Sequence, residues 1–333
     1  MTPTVGVVVL AWQEQPYLRE CVTAALASTG VDVRVVVVDN GCRPEDLPVD
    51  VTGVEILTPG RNTGFAGGCN LGVAALDTEF VALVNSDAVL APDALAQLVA
   101  EAQRPGVGPV MASIRLAEPP GLLNSAGNPV HLIGLSWAGG LDTAETRTAP
   151  YDVTGASGAC LLLASAVWKQ LGGFDEAYFA YLEDSELSLR AWRLGLAARC
   201  VPTAVARHHY EFSRNAHKMY LLERNRLMML ATVWPRRALV LLAPVLLACE
   251  VLLLGYAAAS GWGRGKLSGY AWLWRHRAHL RERRELLQAE RQVPDRVWMA
   301  RLTPALDRSA FGPLTPFANV VFRAYWSLVR RLV

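Results

Sequence analysis

A Rossmann-like α/β fold, a mainly parallel sheet with helices on both faces, followed by a separate helical region, is what this sequence predicts. Three observations predict it. From Thr4 to about Tyr210, short β-branched runs alternate with helical segments, the mark of strands joined by helical crossovers. The chain has 333 residues, 52% hydrophobic and 19% charged, enough apolar material for a large core and one or two domains. Beyond residue 213 the alternation gives way to long apolar and arginine-rich segments, so the expected division is 1–213 and 214–333.

Residues 5–11 and 33–39 read as buried strands because they are nearly unbroken runs of valine and other apolar residues. Between them, Leu18, Cys21, Val22, Ala25 and Leu26 recur at helical spacing, which predicts an amphipathic helix over 17–27. Residues 80–84 predict a further buried strand, and 92–102 a helix with proline in its first turn. Residues 115–152, rich in Gly, Pro, Asn and Ser, predict a loop-rich insertion over the site. Residues 161–163 belong to a strand after the TGASGAC turn, 196–209 to another, and 217–233 to a helix.

The net charge of +2 conceals an asymmetry. Residues 1–260 hold 18 Lys+Arg against 25 Asp+Glu, and residues 261–333 hold 14 against 5. A basic tail among apolar neighbours points to a phospholipid surface as partner, not to nucleic acid. Residues 238–259 form an apolar run long enough to cross a bilayer, although it contains Pro244 and Glu250. Arginines flank it on both sides: Arg224, Arg226, Arg236 and Arg237 before, Arg264, Arg275 and Arg277 after. A helix lying in the interface, or a re-entrant hairpin, keeps both clusters on the cytoplasmic side. In the last segment Phe317, Val320, Val321, Ala324, Tyr325, Leu328 and Leu332 share one face, with Arg323, Arg330 and Arg331 on the other, a basic amphipathic pattern. A helical subdomain packed on the core is the alternative. Six scattered cysteines and the absence of a signal-like N-terminal stretch fit a reduced, cytoplasmic setting.

The first strand runs into AWQEQPYL, which is neither GxGxxG nor GxxxxGK[ST]. The second ends in VVVVDNG, which puts Asp39 at a carboxyl edge of the sheet, where open α/β folds bind ligands. Asp39 there can accept from a nucleobase or ribose, or simply close an Asx turn. GRNTGFAGGCNLG follows, with glycines that let the backbone approach a ligand and Arg61, Asn62 and Asn70 as polar groups. LVNSDAVL ends a strand in Asn85 and Asp87; Asp87 is placed either to hold a divalent ion on a diphosphate or to cap a helix. Glu183, Asp184 and Glu186 crowd the start of a helix after an aromatic run, where carboxylates raise one another's proton affinity as a general base requires. Acidic residues also simply favour helix N-termini.

The ordered series VVVVDNG, RNTGFAGGCNLG, LVNSDAVL, TGASGACLLL, GGFDEAYFAYLEDSEL and HH resembles the family-2 inverting glycosyltransferases of the GT-A fold, especially bacterial rhamnosyltransferase-like members, over residues 4 to about 213. The resemblance implies that Asp39, Arg61, Asn62, Gly64 and Asn70 surround the nucleotide of a dTDP-, UDP- or GDP-linked sugar, completed by the backbone near Leu10 and Ala11. It implies that Asp87 binds Mg²⁺ or Mn²⁺ as the last position of a DxD-type motif whose first position is Asn85 here, with help from His208 in preference to His209. Asp184 is implied as the base that deprotonates the acceptor hydroxyl, Glu183 as a residue that orients the acceptor or tunes Asp184. Ala156, Ser157 and Gly158 are implied near the sugar; Trp137 and Trp168 are candidates for ring stacking or for core packing. The implied acceptor is polyprenyl-linked or a polysaccharide, at the cytoplasmic face of the cell membrane. A sugar-nucleotide nucleotidyltransferase would carry a basic glycine-rich loop near the first strand, and no Lys or Arg precedes Arg19. A membrane-docked scaffold with a degenerate site would not need Asp39, Asp87 and Asp184 together.

Overall fold

The computed structural model describes residues 1–209 and 215–333. The expected boundary between residues 213 and 214 lies outside the described residues. The strands are β1 (Thr4–Gln13), β2 (Asp32–Cys42), β3 (Val54–Leu57), β4 (Phe80–Asn85), β5 (Ala88–Leu90), β6 (Val107–Leu116), β7 (Leu123–Ser125), β8 (Tyr151–Asp152), β9 (Cys160–Ala164) and β10 (Ala197–His208). Helices α1 (Leu18–Leu26), α2 (Gly64–Ala74), α3 (Ala94–Ala102), α4 (Ser165–Leu171) and α5 (Glu183–Arg193) alternate with them. The sheet order is β3-β2-β1-β4-β9-β6-β10-β5, with β7 on β6 and β8 on β10.

The sheet is mainly parallel, as expected, and carries antiparallel strands within it. β1, β2, β3 and β4 pair in parallel, as do β6 and β10, but β9 runs antiparallel between β4 and β6. Between the sheet neighbours β6 and β9 the chain forms no crossover helix, the connection that a parallel pair needs. The helix expected from Pro92 begins at Ala94, because the Pro92 carbonyl accepts from the Thr29 backbone N–H and hydroxyl instead of starting the helix.

β1 is central and buried along Val5, Val7, Val8 and Val9. Helix α2 lies so close to it that a Cβ at Gly68 would sit 2.1 Å from Leu10 and one at Gly72 2.4 Å from Val8. These glycines set the depth at which the loop before α2 meets the sheet edge.

Two compact units emerge. The sheet unit comprises Met1–Asn128, Ala138–Ala191 and the chain from Leu196 through β10. The helical unit contains the described tail together with Pro129–Trp137 and Trp192–Gly195. Its helices are α6 (Ala216–Val233), α7 (Arg236–Ala259), α8 (Gly263–Arg275), α9 (Arg277–Glu290), α10 (Asp295–Met299), α11 (Arg308–Phe311) and α12 (Thr315–Val329). Part of the insertion is therefore built into the helical unit: Leu132 N–H donates to the Thr303 carbonyl at 3.2 Å, and Thr303 N–H donates to Val130 at 2.9 Å. Arg226 donates to the Ile133 carbonyl at 3.2 Å, and the buried His131 meets the Phe322 ring edge-on at 4.6 Å. Trp137 packs against Phe311 in the same unit.

Candidate active site

Strand direction brings the candidate residues to one edge of the sheet. β2 and β4 flank β1 in parallel, with Asp39 opposite Ala11 and Asn85 opposite Leu10, so both strands open at the same end. Because β9 runs the other way, its first residues are at that end too: Cys160 pairs with Val84, and Asn85 N–H donates to the Ala159 carbonyl at 3.0 Å. β10 finishes beside β5, with His208 opposite Ala88.

Asp39 Oδ1 accepts from the Gly41 and Cys42 N–H groups at 3.0 and 2.8 Å, so it closes an Asx turn that uses one carboxylate oxygen. An open depression beside this turn is lined by Gln13, Glu14, Gly41, Cys42, Arg43 and Pro44. The next residue, Asn40, is buried and pins the following loop: Nδ2 donates to the Gly64 carbonyl at 2.9 Å, while Oδ1 accepts from the Thr63 N–H and hydroxyl at 3.0 and 2.9 Å. Asn62 Oδ1 accepts from Gly64 N–H at 2.8 Å, and Arg61 is exposed. Gly64 has φ +73, and a Cβ there would meet the Phe179 carbonyl at 2.4 Å. Asn70 is engaged elsewhere: its amide exchanges two 3.0 Å hydrogen bonds with the Phe174 backbone.

At the end of β4, Asp87 Oδ1 lies 2.9 Å from His208 Nε2, and Asn85 Nδ2 is 3.4 Å from the same nitrogen. The other ring nitrogen of the buried His208 is 3.0 Å from Asn124 Oδ1. His209 faces elsewhere and stacks on Tyr17 at 3.7 Å. Among the described residues no three His, Cys, Asp or Glu side chains converge, so Asn85 is the third member of this group. The donor set fits a hard divalent ion. A carboxylate oxygen of Asp87, the Nε2 of His208 and the amide oxygen of Asn85 are the donor types such an ion takes.

Asp184 sits in the first turn of α5. Its Oδ2 accepts from Gly158 N–H at 2.9 Å and Asn128 Nδ2 at 3.2 Å, and its Oδ1 from the Ser185 N–H and hydroxyl at 2.6 and 3.2 Å. Burial pushes its pKa up, and the hydrogen bonds from Gly158 and Ser185 restrain the rise without cancelling it. Glu183 is buried more completely, and among the described residues its Oε2 has no hydrogen-bond partner. Burial first, and the Asp184 charge second, drive its pKa well above the ordinary value. Both carboxyls are thus pushed towards the neutral form, Glu183 further than Asp184. Glu186 pairs with the buried Arg190 at 2.8 Å, and Arg190 holds the carbonyls of Leu171 and Gly173. Ala156 N–H donates to Ser188 at 3.0 Å, Gly158 abuts the Phe65 ring, and Trp168 packs edge-on to Phe174 in the core.

The approach to α5 is strained. Phe179, Tyr181 and Leu182 all have positive φ, which bulky side chains rarely adopt. Phe179, at φ 62 and ψ −63, centres a γ-turn closed by Ala180 N–H donating to the Tyr178 carbonyl at 2.7 Å. Its carbonyl accepts from Ala66 N–H at 3.0 Å, which ties this turn to the start of α2.

A family model described as glycosyltransferase like family 2 matches residues 3–229. The chain belongs to that family. Among curated relatives of this family 2 protein is the N-acetylglucosaminyl-diphospho-decaprenol L-rhamnosyltransferase of Mycobacterium tuberculosis, 27% identical over 238 residues, 63% of this chain and 77% of the relative. Another is the O-antigen biosynthesis protein RfbC of Myxococcus xanthus, 30% identical over 231 residues, 65% of this chain but 18% of the relative. Two solved structures share the GT-A type of fold. GalNAc-T7 with UDP, GalNAc and Mn²⁺ matches with a TM-score of 0.60 at 16% identity, over 81% of this chain and 55% of that one. The mannosyltransferase PcManGT of Pyrobaculum calidifontis with GDP-Man and Mn²⁺ matches at 0.51 and 19%, over 87% and 86%.

Three asparagines of the family 2 domain, Asn40, Asn124 and Asn128, escaped the reading of the sequence. Each stands beside Gly or Ser in a segment that reads as an ordinary turn.

Proposed function

We propose that the protein transfers a glycosyl group from a nucleoside-diphosphate sugar to a hydroxyl of a polyprenyl-linked or polysaccharide acceptor, with inversion at the anomeric carbon, at the cytoplasmic face of a membrane. One observation carries the reading. The Asp184 carboxylate is held by Gly158, whose neighbour Ala159 is hydrogen-bonded to Asn85, two residues from Asp87. A candidate base and a candidate diphosphate site thus share one strand edge within a glycosyltransferase family domain.

In this reading the donor's nucleoside lies against Asp39 and the loop that Asn40 pins. Asp87, His208 and Asn85 would hold Mg²⁺ or Mn²⁺, which when bound neutralises charge on the diphosphate leaving group. Asp184 accepts the proton of the acceptor hydroxyl as oxygen attacks the anomeric carbon from the face opposite the diphosphate, which inverts the configuration. Gly158, Ser185 and Asn128 fix the carboxylate's direction, and the buried Glu183 lies beside it in sequence, pushed towards its neutral form. Orientation supplies most of the rate, and the base on the order of 10² to 10⁴. The polyprenyl-linked acceptor follows the name of the mycobacterial relative, and the membrane follows the exposed apolar residues of α7 and α12.

Titration calorimetry of UDP, dTDP and GDP in the presence of Mn²⁺ tests the donor site. Metal-dependent binding of one nucleotide, lost in Asp87→Ala, is expected; folded protein that binds none of the three overturns the reading. Asp184→Asn is expected to keep nucleotide binding and to lose transfer, and NMR of the product reads the anomeric configuration.

A further inference from the structure

In the helical unit, α7 and α12 turn apolar side chains to sides that no other helix covers among the described residues. Along α7, Val240, Leu247, Val251 and Leu254 recur at intervals of seven, four and three residues, one continuous stripe, with Val251 71% exposed. The opposite side carries the buried Ala238 and Leu242, while the buried Ala257 and the half-buried Glu250 lie along one flank of the stripe. Along α12, Phe322, Trp326 and Val329 pack inward while Phe317, Val320, Val321 and Leu328 stand outward, Phe317 at 76% exposure. The Tyr325 hydroxyl donates to the Leu241 carbonyl at 2.5 Å, so the two helices adjoin. An apolar surface spread over two neighbouring helices marks an interaction site.

By length and composition α7 is able to cross a bilayer. Its ties argue against crossing. Glu250 accepts from Arg226 of α6 at 2.5 Å, and from Lys266 and Tyr270 of α8 at 2.6 and 2.5 Å. A crossing α7 would carry Glu250 to the bilayer centre, either dragging this ionic cluster into hydrocarbon or leaving its members unpaired, at a cost of several kcal/mol per ion. Lying along the boundary, the helix keeps Glu250 at the edge of the stripe with its partners on α6 and α8, and turns Val240 and Val251 to the lipid side. Arg236, Arg237 and Arg264 are exposed at its two ends, which favours one side of the membrane for both. The excess of 14 Lys+Arg over 5 Asp+Glu after residue 260 matches anionic headgroups.

We propose that α7 and α12 form an in-plane seat on an anionic phospholipid surface, with α7 lying along the boundary and both of its ends on one side. This rests on the reading that the protein works at a membrane and is independent of the transfer reaction.

The test uses the full chain with cysteines placed at both ends of α7, Arg237→Cys and Ser260→Cys. The half-buried Cys42 and Cys249 are replaced by serine, since the other four cysteines are buried. The protein is reconstituted from detergent into sealed vesicles of phosphatidylcholine and phosphatidylglycerol, then labelled from outside with a polyethylene-glycol maleimide. An in-plane seat yields molecules with two labels or none, because the two ends share a leaflet. Molecules carrying one label each mean that α7 crosses, and overturn the proposal. Val251→Glu and Phe317→Glu, both at exposed positions, are each expected to weaken co-sedimentation with these vesicles by about tenfold or more, from the lost burial of one apolar side chain. Unchanged sedimentation of both variants overturns the seat. Absence of vesicle binding by the unmodified protein removes the membrane reading itself, whereas the one-label pattern removes only the in-plane seat.

Discussion

Lys266→Met deletes one cation from a cluster of two carboxylates and two cations. Lys266 Nζ lies 2.5 Å from Glu223 and 2.6 Å from Glu250, and Arg226 Nη2 lies 2.9 and 2.5 Å from the same pair. The Lys266 and Arg226 side chains are 1% and 2% exposed, so water does not replace a missing partner. Without the ammonium, two carboxylates share one guanidinium, and removing one partner of a buried ion pair costs about 3–5 kcal/mol. That is a large share of the roughly 5–15 kcal/mol that holds a typical domain together. The loss has a pH signature. Burial pushes the Glu250 carboxyl up, but Arg226, Lys266 and Tyr270 outweigh it and hold the pKa at about 2. A carboxyl held below its unfolded value contributes stability that is present above about pH 4.3 and lost as pH falls towards the folded value. Lys266→Met weakens that hold, so the variant's deficit should be largest near neutrality and shrink in acid. Urea unfolding followed by tryptophan fluorescence reads it, because eight of the ten tryptophans lie in the helical unit. Lys266→Met/Glu250→Gln restores neutrality and should cost less than the sum of the single changes, by about 1–3 kcal/mol. A single-variant loss below about 1 kcal/mol, or strict additivity in the double, would refute the reasoning.

Asn128→Ala removes a donor from Asp184 Oδ2, so the base becomes harder to deprotonate; kcat/KM should fall about 3- to 10-fold at neutral pH and its acid limb should move upward, with nucleotide affinity unchanged. A pH profile that does not move counts against this role. Glu183→Gln should stabilise the protein at alkaline pH: a carboxyl raised above its unfolded value contributes stability at low pH that is lost as pH rises through its folded pKa, and the amide has nothing to lose. Melting curves across pH read the gap between variant and parent, which must widen with pH. Asn40→Ala strips the Thr63 N–H and the Gly64 carbonyl of their partners, at about 1–3 kcal/mol of stability, and calorimetry should find weaker nucleotide binding. Equal affinity would mean that the loop holds its shape without Asn40.

The parallel core was legible because β1, β2 and β4 are buried on both faces and so are written as unbroken apolar runs. The antiparallel course of β9 was not, since hydrophobic periodicity reports burial and is blind to strand direction. Asp39, Asp87 and Asp184 stood out because each follows a strand or opens a helix in a recognisable context. Alternation separates His208 from His209, sending one inward to Asp87 and the other onto Tyr17; the family resemblance favoured His208, and the register places it beside Asp87. Asn70 looked like a ligand-loop residue and proved to be fastened to the Phe174 backbone, a contact 104 residues away that no local pattern encodes. Glu183 was implied beside Asp184, to orient the acceptor or tune the base; its burial depends on packing that only the folded chain supplies. The apolar character of the tail was plain in the sequence, yet the partners of Glu250 come from two other helices.

The placement of residues 129–137 in the helical unit bears on how such a protein can be altered or assembled. Val130, His131 and Leu132 are fully buried there, and the segment is stitched to Thr303. The chain enters that unit from the middle of the sheet unit and returns, so the tail is not an attachment that a single joining event at the end of a transferase gene would complete. A chimaera that exchanged only the residues after 213 would leave this loop facing a foreign surface. Loop and tail form one inheritable piece, and a graft onto another family member should carry both.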